Sequence, residues 1–578
     1  MAEITNRGCK DILFPRMIWA IASSIVVQFI FMSCVILITN LSLTSPLSWL
    51  KDTWYMITCF QMWSYFMVLA GVIIFQGIVC SKNYLKSPPF TDTRFSIFCS
   101  LFTPHNFMIG CIYILIGGVL VWLHLSLEDG NYSYLKKPCK NIDGSCLVEE
   151  YLYLQIGGIW TGFYYFTKTN IFGFKNLQFS IIPELKYCQV KRGINNILPT
   201  AMTSALLPSI YYIIFYYFCG QYIRKVTTTI LFINFEDESL DQLSKLINIS
   251  LIFHTWLYAT LFALTMNSMH LLFQAHLTEW MPFEIGQNIY NNNCPSVTLP
   301  EALSMNNIPI IQHLGYLDLF NIAQKDKQRR AHLFTLSQPG GHPYNWNGII
   351  EKCIELLKKY SDDINDICSG KQDVNNAIVT NIVAPVSIVD KQFSYNMRSL
   401  TTQASSIAST ISESDIVNST PTIGKFIVDL LTTTKQNIIN YLLSKPIIFY
   451  FFGTQNNSKI QNLLANGQPI IWATEAISSL VVCSIEEDPY GIAQKDLPRI
   501  VELLLSLKQS LDNLHKMNLL MRKTSYDDKK KRQMLLSLRS ANKRSIYKIT
   551  MAFKSYINDL AFEQNIKDQL QNFINCRE

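Results

Sequence analysis

Apolar residues run in long, nearly unbroken blocks through the first 273 positions and in short periodic clusters after that. Six blocks reach the length of a membrane span: 17–39, 54–80, 107–125, 151–167, 201–222 and 251–273. A helix needs about 20 apolar residues to cross a hydrocarbon core of ~30 Å. None of the six blocks contains Asp, Glu, Lys or Arg. The fourth is the least regular, interrupted by Gln155, Gly157 and Gly158. The first is too long for a cleavable signal peptide, and no small-residue cleavage site follows it.

The second half is patterned differently. In 274–368, Pro282, Pro295, Pro300 and Pro309 punctuate short helices. The stretch 369–425 is rich in Ser, Thr and Asn and lacks a sustained period, which predicts a disordered linker. Within 424–443, Ile427, Leu430, Leu431, Ile438, Tyr441 and Leu442 share one helix face, which either packs on neighbours or lies flat on a membrane. The run SKPIIFYFF (444–452) is strongly apolar but too short to span. PIIWATEAISSLVVCSI (469–485) carries Glu475 and predicts a buried core helix. Over 496–515, Leu497, Ile500, Leu504, Leu507, Leu511 and Leu514 line one side of a helix, with Asp496 as its cap and Pro498 in its first turn. The pattern as a whole predicts an all-α protein. A six-span bundle (1–273) precedes a helical segment (274–368), the linker (369–425) and a C-terminal helical domain (424–578).

Charge adds orientation. Only 16% of the residues are charged, against about 25% in an ordinary soluble domain. The net charge of +7 is mild for 578 residues and does not imply nucleic acid. The amino-terminal segment and the loops 81–106 and 168–200 carry eleven Lys and Arg, against seven in the opposite loops. This bias predicts cytosolic termini. The opposite loops hold the glycosylation tripeptides at Asn131 and Asn248. They also hold Cys139 and Cys146, which bracket a Gly-containing turn. In an oxidising lumen these two are expected to form a disulfide worth about 2–3 kcal/mol on the chain-entropy model. The basic run 522–544 is open to three readings: a solvated face, an anionic-lipid contact at about 1 kcal/mol per residue, or a site for an acidic partner. Its aromatics are too sparse for single-stranded nucleic acid.

No P-loop, HExxH, GxSxG or kinase motif set is present, and no cofactor or metal is implied. Uncharged spans argue against a pump. The alternative is a polytopic membrane enzyme of acyl- or glycosyltransferase type. Its raw material would be His105, His124, His254, His270 and His276 with Glu279, but no spacing unites them. The segment LFTLSQPGGHPYNW (333–346) reads instead as architecture. One helix ends near Leu336, Pro339, Gly340 and Gly341 turn the chain, and the next helix starts near Asn345 with Trp346 anchoring the corner. Ser337, Gln338, Pro339, Gly340, Gly341, His342 and Trp346 form a candidate docking corner.

That segment resembles a hallmark of the transmembrane nucleoporin family named for the nuclear division cycle. CKDILFPR before the first span, SKPIIFYFF, IWATEAISSLV (471–481), EDPYGIAQKDLP (487–498) and RSIYKIT (544–550) resemble further family blocks, in the same order. The linker is shorter than in vertebrate members. The resemblance implies a pore-membrane protein without catalysis that anchors the nuclear pore complex and supports its assembly. It implies linker nucleoporins, the beta-propeller nucleoporin ALADIN and other transmembrane nucleoporins as partners beside the pore-membrane lipid, and leaves self-association open. Trp472, Glu475, Tyr490 and Gly491, in two of these blocks, are a second candidate partner surface.

Overall fold

The computed structural model describes residues 2–39, 46–85, 93–127, 134–138, 145–172, 185–232, 240, 243–286, 297–336, 341–368, 445–452, 456–520, 526–556 and 563–575. Asn131, Cys139, Ser337, Gln338, Pro339 and Gly340 lie outside these residues. So do the expected linker and the helix expected at 424–443.

The first half consists of α1 (Ala2–Thr39), α2 (Pro46–Thr58), α3 (Phe60–Leu85), α4 (Arg94–Leu101), α5 (Pro104–Leu127), α6 (Glu149–Phe172), α7 (Lys186–Ser204), α8 (Leu206–Leu231), α9 (Leu243–Leu246) and α10 (Ile249–Leu277). A hairpin of β1 (Lys136–Pro138) and β2 (Ser145–Leu147) precedes α6. Its antiparallel register sets Lys137 opposite Cys146 and Pro138 opposite Ser145. The second half consists of α11 (Leu299–Ser304), α12 (Pro309–Gln324), α13 (Lys327–Leu333), α14 (Tyr344–Cys368), α15 (Pro446–Phe452), α16 (Asn456–Ala465), α17 (Gly467–Glu487), α18 (Ile492–Leu520), α19 (Tyr526–Ala552) and α20 (Gln564–Ile574).

Among the described residues, six helical stretches are long and apolar enough to cross a membrane: Gly8–Ile38, Phe60–Val79, Pro104–Leu127, Lys186–Leu231, Ile249–Leu277 and Gly467–Glu487. Five overlap expected blocks, with shifted bounds. The second begins at Phe60, not at 54, because the chain breaks between α2 and α3 at Cys59. The fourth, Lys186–Leu231, is a long run divided at Ala205, inside the expected 201–222. The expected block 151–167 does form a helix, α6, but its tyrosines, Gln155 and glycines keep its mean hydropathy below that of the other five. Gly467–Glu487 passes on hydropathy, yet Ile470, Ile471, Trp472, Ile477, Leu480 and Val481 are buried in the C-terminal core. It is the core helix that the sequence predicts.

The glycines that make α6 look weak hold it in place. A Cβ on Gly158 would meet the carbonyl oxygen of Gly117, and one on Gly162 would meet that of Tyr113. With no side chain in the way, α5 and α6 touch backbone to backbone, the approach that small residues permit between membrane helices. Gln155 donates to the carbonyl of Gly118 at 2.9 Å, so its amide serves the same interface.

The two ends of the bundle differ. At one end, Arg16 of α1 donates to the carbonyl of Glu279 at 2.6 Å, and Lys186 of α7 pairs with the Glu279 carboxylate at 2.6 Å. Cys9 and Leu13 of α1 and Phe273 and Leu277 of α10 are buried in one continuous core with α11–α14 and α16–α20. The other end carries the hairpin and a buried polar knot. There Glu149 accepts from Arg224 at 2.7 Å, from Tyr216 at 3.1 Å and from the backbone N–H of Leu240 at 2.8 Å. The ions of the Glu149–Arg224 pair are thus hydrogen-bonded as well as paired, as burial requires.

Candidate partner-docking surface

The chain leaves α10 and enters the C-terminal domain through a clamp. Asp318, fully buried on α12, receives four hydrogen bonds. Arg329 donates to both of its oxygens at 2.8 Å, Trp280 Nε1 donates at 3.1 Å and the N–H of Phe283 at 2.9 Å. The hydrogen bond to Asp318 holds the Arg329 guanidinium pKa above its ordinary value, against the burial that lowers it. Arg329 also donates to the carbonyl of Phe283 at 2.5 Å. Asp326 caps α13 by accepting from the Arg329 N–H at 3.0 Å, which fixes the base of that side chain.

Next along α13, Arg330 forms a two-pronged pair with Glu487 at the end of α17, both bonds 2.8 Å long. Its guanidinium also donates to the carbonyls of Ile322 and Ala323. The Arg330 hydrogen bond pulls the Glu487 carboxyl below the ordinary carboxylate range. Across the corner, Trp346 donates from Nε1 to Asp496 at 2.8 Å and stacks on Phe334 with ring centroids 5.5 Å apart. These two links, Arg330 to Glu487 and Trp346 to Asp496, bracket both the corner (334–345) and the turn (488–491). The described residues on either side of the corner are therefore tied to those on either side of the turn.

The turn has its own local cause. Asp488 accepts from the N–H groups of Tyr490 and Ala493 at 3.0 and 2.9 Å, and Gly491 takes a φ of 64°, where a side chain would be strained. This starts α18 at Ile492, not at 496. Asp496 is accordingly no cap; it is the acceptor for Trp346. At the corner, α13 stops at Leu333 and α14 begins at Tyr344. Asn345 does not cap α14, since its amide donates to the carbonyl of His332 at 3.1 Å.

The expected residues thus divide. His342 is exposed, Gly341 and Gly491 are partly exposed, and Tyr490 is 61% exposed. Trp346 and Trp472 are buried to 2% and 1% exposure and belong to the core, which corrects their assignment to a surface. Glu475 is engaged in the fold, accepting from Arg544 of α19 at 2.6 Å. Tyr344, 62% exposed, completes the exposed face and was not singled out from the sequence. Nor were Arg330 and Glu487, and Asp496 was singled out only as a cap; their partners lie 157 and 150 positions away, beyond the reach of any local pattern.

Away from this face, Asn248 caps α10, accepting from the Ser250 N–H at 3.2 Å. Cys146 is disulfide-bonded. His124 and His254 flank one ring, their centroids 6.1 and 6.2 Å from that of Tyr258; His254 also meets the carbonyl of Ser250 at 2.7 Å, and His276 meets the Ser23 hydroxyl at 3.4 Å. Among the described residues, no three His, Cys, Asp or Glu side chains are grouped to hold a metal.

Comparison with known proteins supplies the family. The family model of the nucleoporin protein Ndc1-Nup matches residues 11–571. The human protein named Nucleoporin NDC1 is 25% identical over 676 aligned residues, covering 100% of both chains. Nucleoporin Ndc1 of Drosophila melanogaster is 24% identical over 595, again covering 100% of both. Nucleoporin ndc-1 of Caenorhabditis elegans is 26% identical over 270, covering 46% of this chain and 41% of the relative. With a family match that runs nearly end to end, and with helices long and apolar enough to cross a membrane, the chain belongs to the Ndc1-Nup family and is a membrane nucleoporin of the nuclear pore.

Proposed function

We propose that this chain anchors the nuclear pore complex in the pore membrane and supports its assembly by recruiting soluble nucleoporins. The observation that carries this reading is the fusion of the C-terminal helical domain onto one end of the bundle through a shared core, with Tyr344 and Tyr490 exposed on it. A rigid joint passes load from a docked partner to the spans. Aromatic side chains on a braced turn offer large contact area at low entropic cost. Linker nucleoporins, the beta-propeller nucleoporin ALADIN and other transmembrane nucleoporins are the partners this reading assigns.

In this reading α1, α3, α5, α6, the α7–α8 run and α10 are the six spans, and α6 crosses because α5 and α8 cover its polar positions. Both termini and the C-terminal domain face the cytosol and pore, and the hairpin faces the lumen. Cys139 follows Pro138, which pairs with Ser145, the residue before the disulfide-bonded Cys146. Cys139 is therefore the partner we assign to Cys146. No catalytic role is proposed.

The test is co-purification from cells of the tagged full chain and its Tyr344→Ala/Tyr490→Ala variant, both placed at the nuclear rim by imaging. The expected result is loss of at least one nucleoporin from the variant while the rim signal persists. An unchanged set of co-purified nucleoporins contradicts the assignment of this face.

A further inference from the structure

The run SKPIIFYFF is apolar, too short to span, and absent from the docking face. Its helix α15 has seven residues, a length of about 10 Å. It lies on α4. The Phe452 ring meets Phe95 with centroids 4.6 Å apart, and the Arg94 guanidinium sits 3.9 Å from the centre of the Tyr450 ring.

The position of α4 is fixed by its neighbours in the chain. It follows α3, and only Phe102 and Thr103 separate it from Pro104, the first residue of α5. Asn106 donates back to the carbonyl of Ser100 at 2.6 Å, which tightens that corner. With α3 and α5 both apolar enough to cross a membrane, α4 is held at the bilayer surface from both sides. Whatever packs on α4 is held there too. The end concerned is the one that carries the C-terminal domain: Phe66 meets Phe29 and Gly77 approaches Ile21, so α3 runs antiparallel to α1 and ends where Cys9 and Leu13 enter the C-terminal core.

The pair leaves an aromatic face uncovered. Phe98 is 56% exposed, Phe102 68% and Phe449 45%, and Phe452 and Tyr450 remain exposed despite their ring contacts. Soluble surfaces rarely expose continuous apolar patches of this kind. A membrane interface selects this composition, because aromatic rings settle at headgroup level and an arginine there keeps its charge in the polar layer.

We propose that α4 and α15 together form an interfacial anchor, with their aromatic face set into the headgroup layer and acyl boundary of the bilayer. The C-terminal domain then has a second, non-spanning membrane attachment far downstream of α10. The anchor is assembled from two distant segments: the spans set the depth of α4, and Arg94 and Phe95 bring α15 to it. This inference rests on reading α3 and α5 as spans.

The experiment uses the full chain reconstituted in vesicles of phosphatidylcholine with a minority of phosphatidylserine. The vesicles also contain a lipid bearing a photoactivatable diazirine on its acyl chain. After illumination, lipid adducts are mapped by mass spectrometry. The expected adducts fall on α3 and α5, on 94–102 and on 445–452. Arg94→Ala should lower the adduct yield on 445–452 roughly two- to five-fold, the shift an exposed cation–π contact supports, with α3 and α5 unchanged. Phe449→Glu, which leaves the Phe95–Phe452 contact in place, should lower it as well. Adducts on α3 and α5 with none on 445–452 would overturn the anchor, and so would a yield on 445–452 indifferent to both substitutions. Absence of adducts from α3 and α5 would instead overturn the span reading beneath it.

Discussion

Replacing Asp318 by Ala should loosen the joint between the bundle and the C-terminal domain more than any other single change at that junction. The carboxylate is fully buried and takes two bonds from Arg329, one from Trp280 and one from the Phe283 backbone. Removing it leaves a largely buried guanidinium without its counter-ion and two N–H donors without acceptors. Breaking a buried pair from one side costs about 3–5 kcal/mol. The orphaned donors are already part of that figure and are not added to it. For a domain of this size, 1 kcal/mol moves Tm by about 2–4 °C, so the expected fall is roughly 6–20 °C. The assay is thermal unfolding of the purified full chain in detergent, followed by tryptophan emission, because Trp280 is itself a ligand of Asp318. Lys352→Ala is the control. It breaks an exposed pair with Glu355 and should cost less than about 1 kcal/mol. A shift for Asp318→Ala no larger than the control's would refute the clamp as the element that sets the joint.

Three further outcomes follow from the same geometry. Gly162→Ala drives a methyl into the Tyr113 carbonyl and should destabilise the α5–α6 pair by about 1–3 kcal/mol, despite the better helix propensity of Ala; a variant as heat-resistant as the parent in detergent contradicts the close contact. Glu487 has a depressed carboxyl pKa, so its stabilising contribution is complete above the ordinary carboxylate range and is lost as pH falls through the depressed value; Tm should fall with pH there, less steeply in Glu487→Gln, and identical slopes would remove Glu487 as the cause. If the hairpin side is lumenal, as proposed, unreduced digestion should yield one peptide pair joining Cys139 to Cys146, and an endoglycosidase mobility shift should vanish in Asn131→Gln/Asn248→Gln; two alkylated free thiols, or no shift in the parent, contradict that placement.

What the sequence revealed and what it hid divide along physical lines. Apolar runs of span length are a one-dimensional signal, and α1, α3, α5 and α10 were legible as such. The break at Cys59 was not, because no proline or charge marks it; the one at Ala205 did carry a signal, Pro208, which has no N–H for the Ser204 carbonyl and suits the first turn of a new helix. In α6, Gln155 and the glycines lowered the apolar signal, and the same residues make the contact with α5. The helix over 469–485 was recognisable as core from Glu475, whose acidity the structure spends on Arg544. Trp346 and Trp472 were misplaced for another reason. A family hallmark marks residues that build a fold as readily as residues that touch a partner, and a tryptophan inside one does not say which. Burial decides it, and burial depends on α12, α18 and α19, which lie far away along the chain. Tyr344 went unnoticed because it is one tyrosine among 28. Its exposure follows only from the start of α14 one residue before the expected Asn345.

The central claim is that the chain is held in the pore membrane as an anchor of the nuclear pore complex. Live imaging of the full chain, tagged at its carboxyl terminus and expressed at its native level beside a nucleoporin marker, tests it most directly. The account predicts puncta on the nuclear rim that coincide with the marker. A diffuse reticular signal that ignores the pores would contradict it.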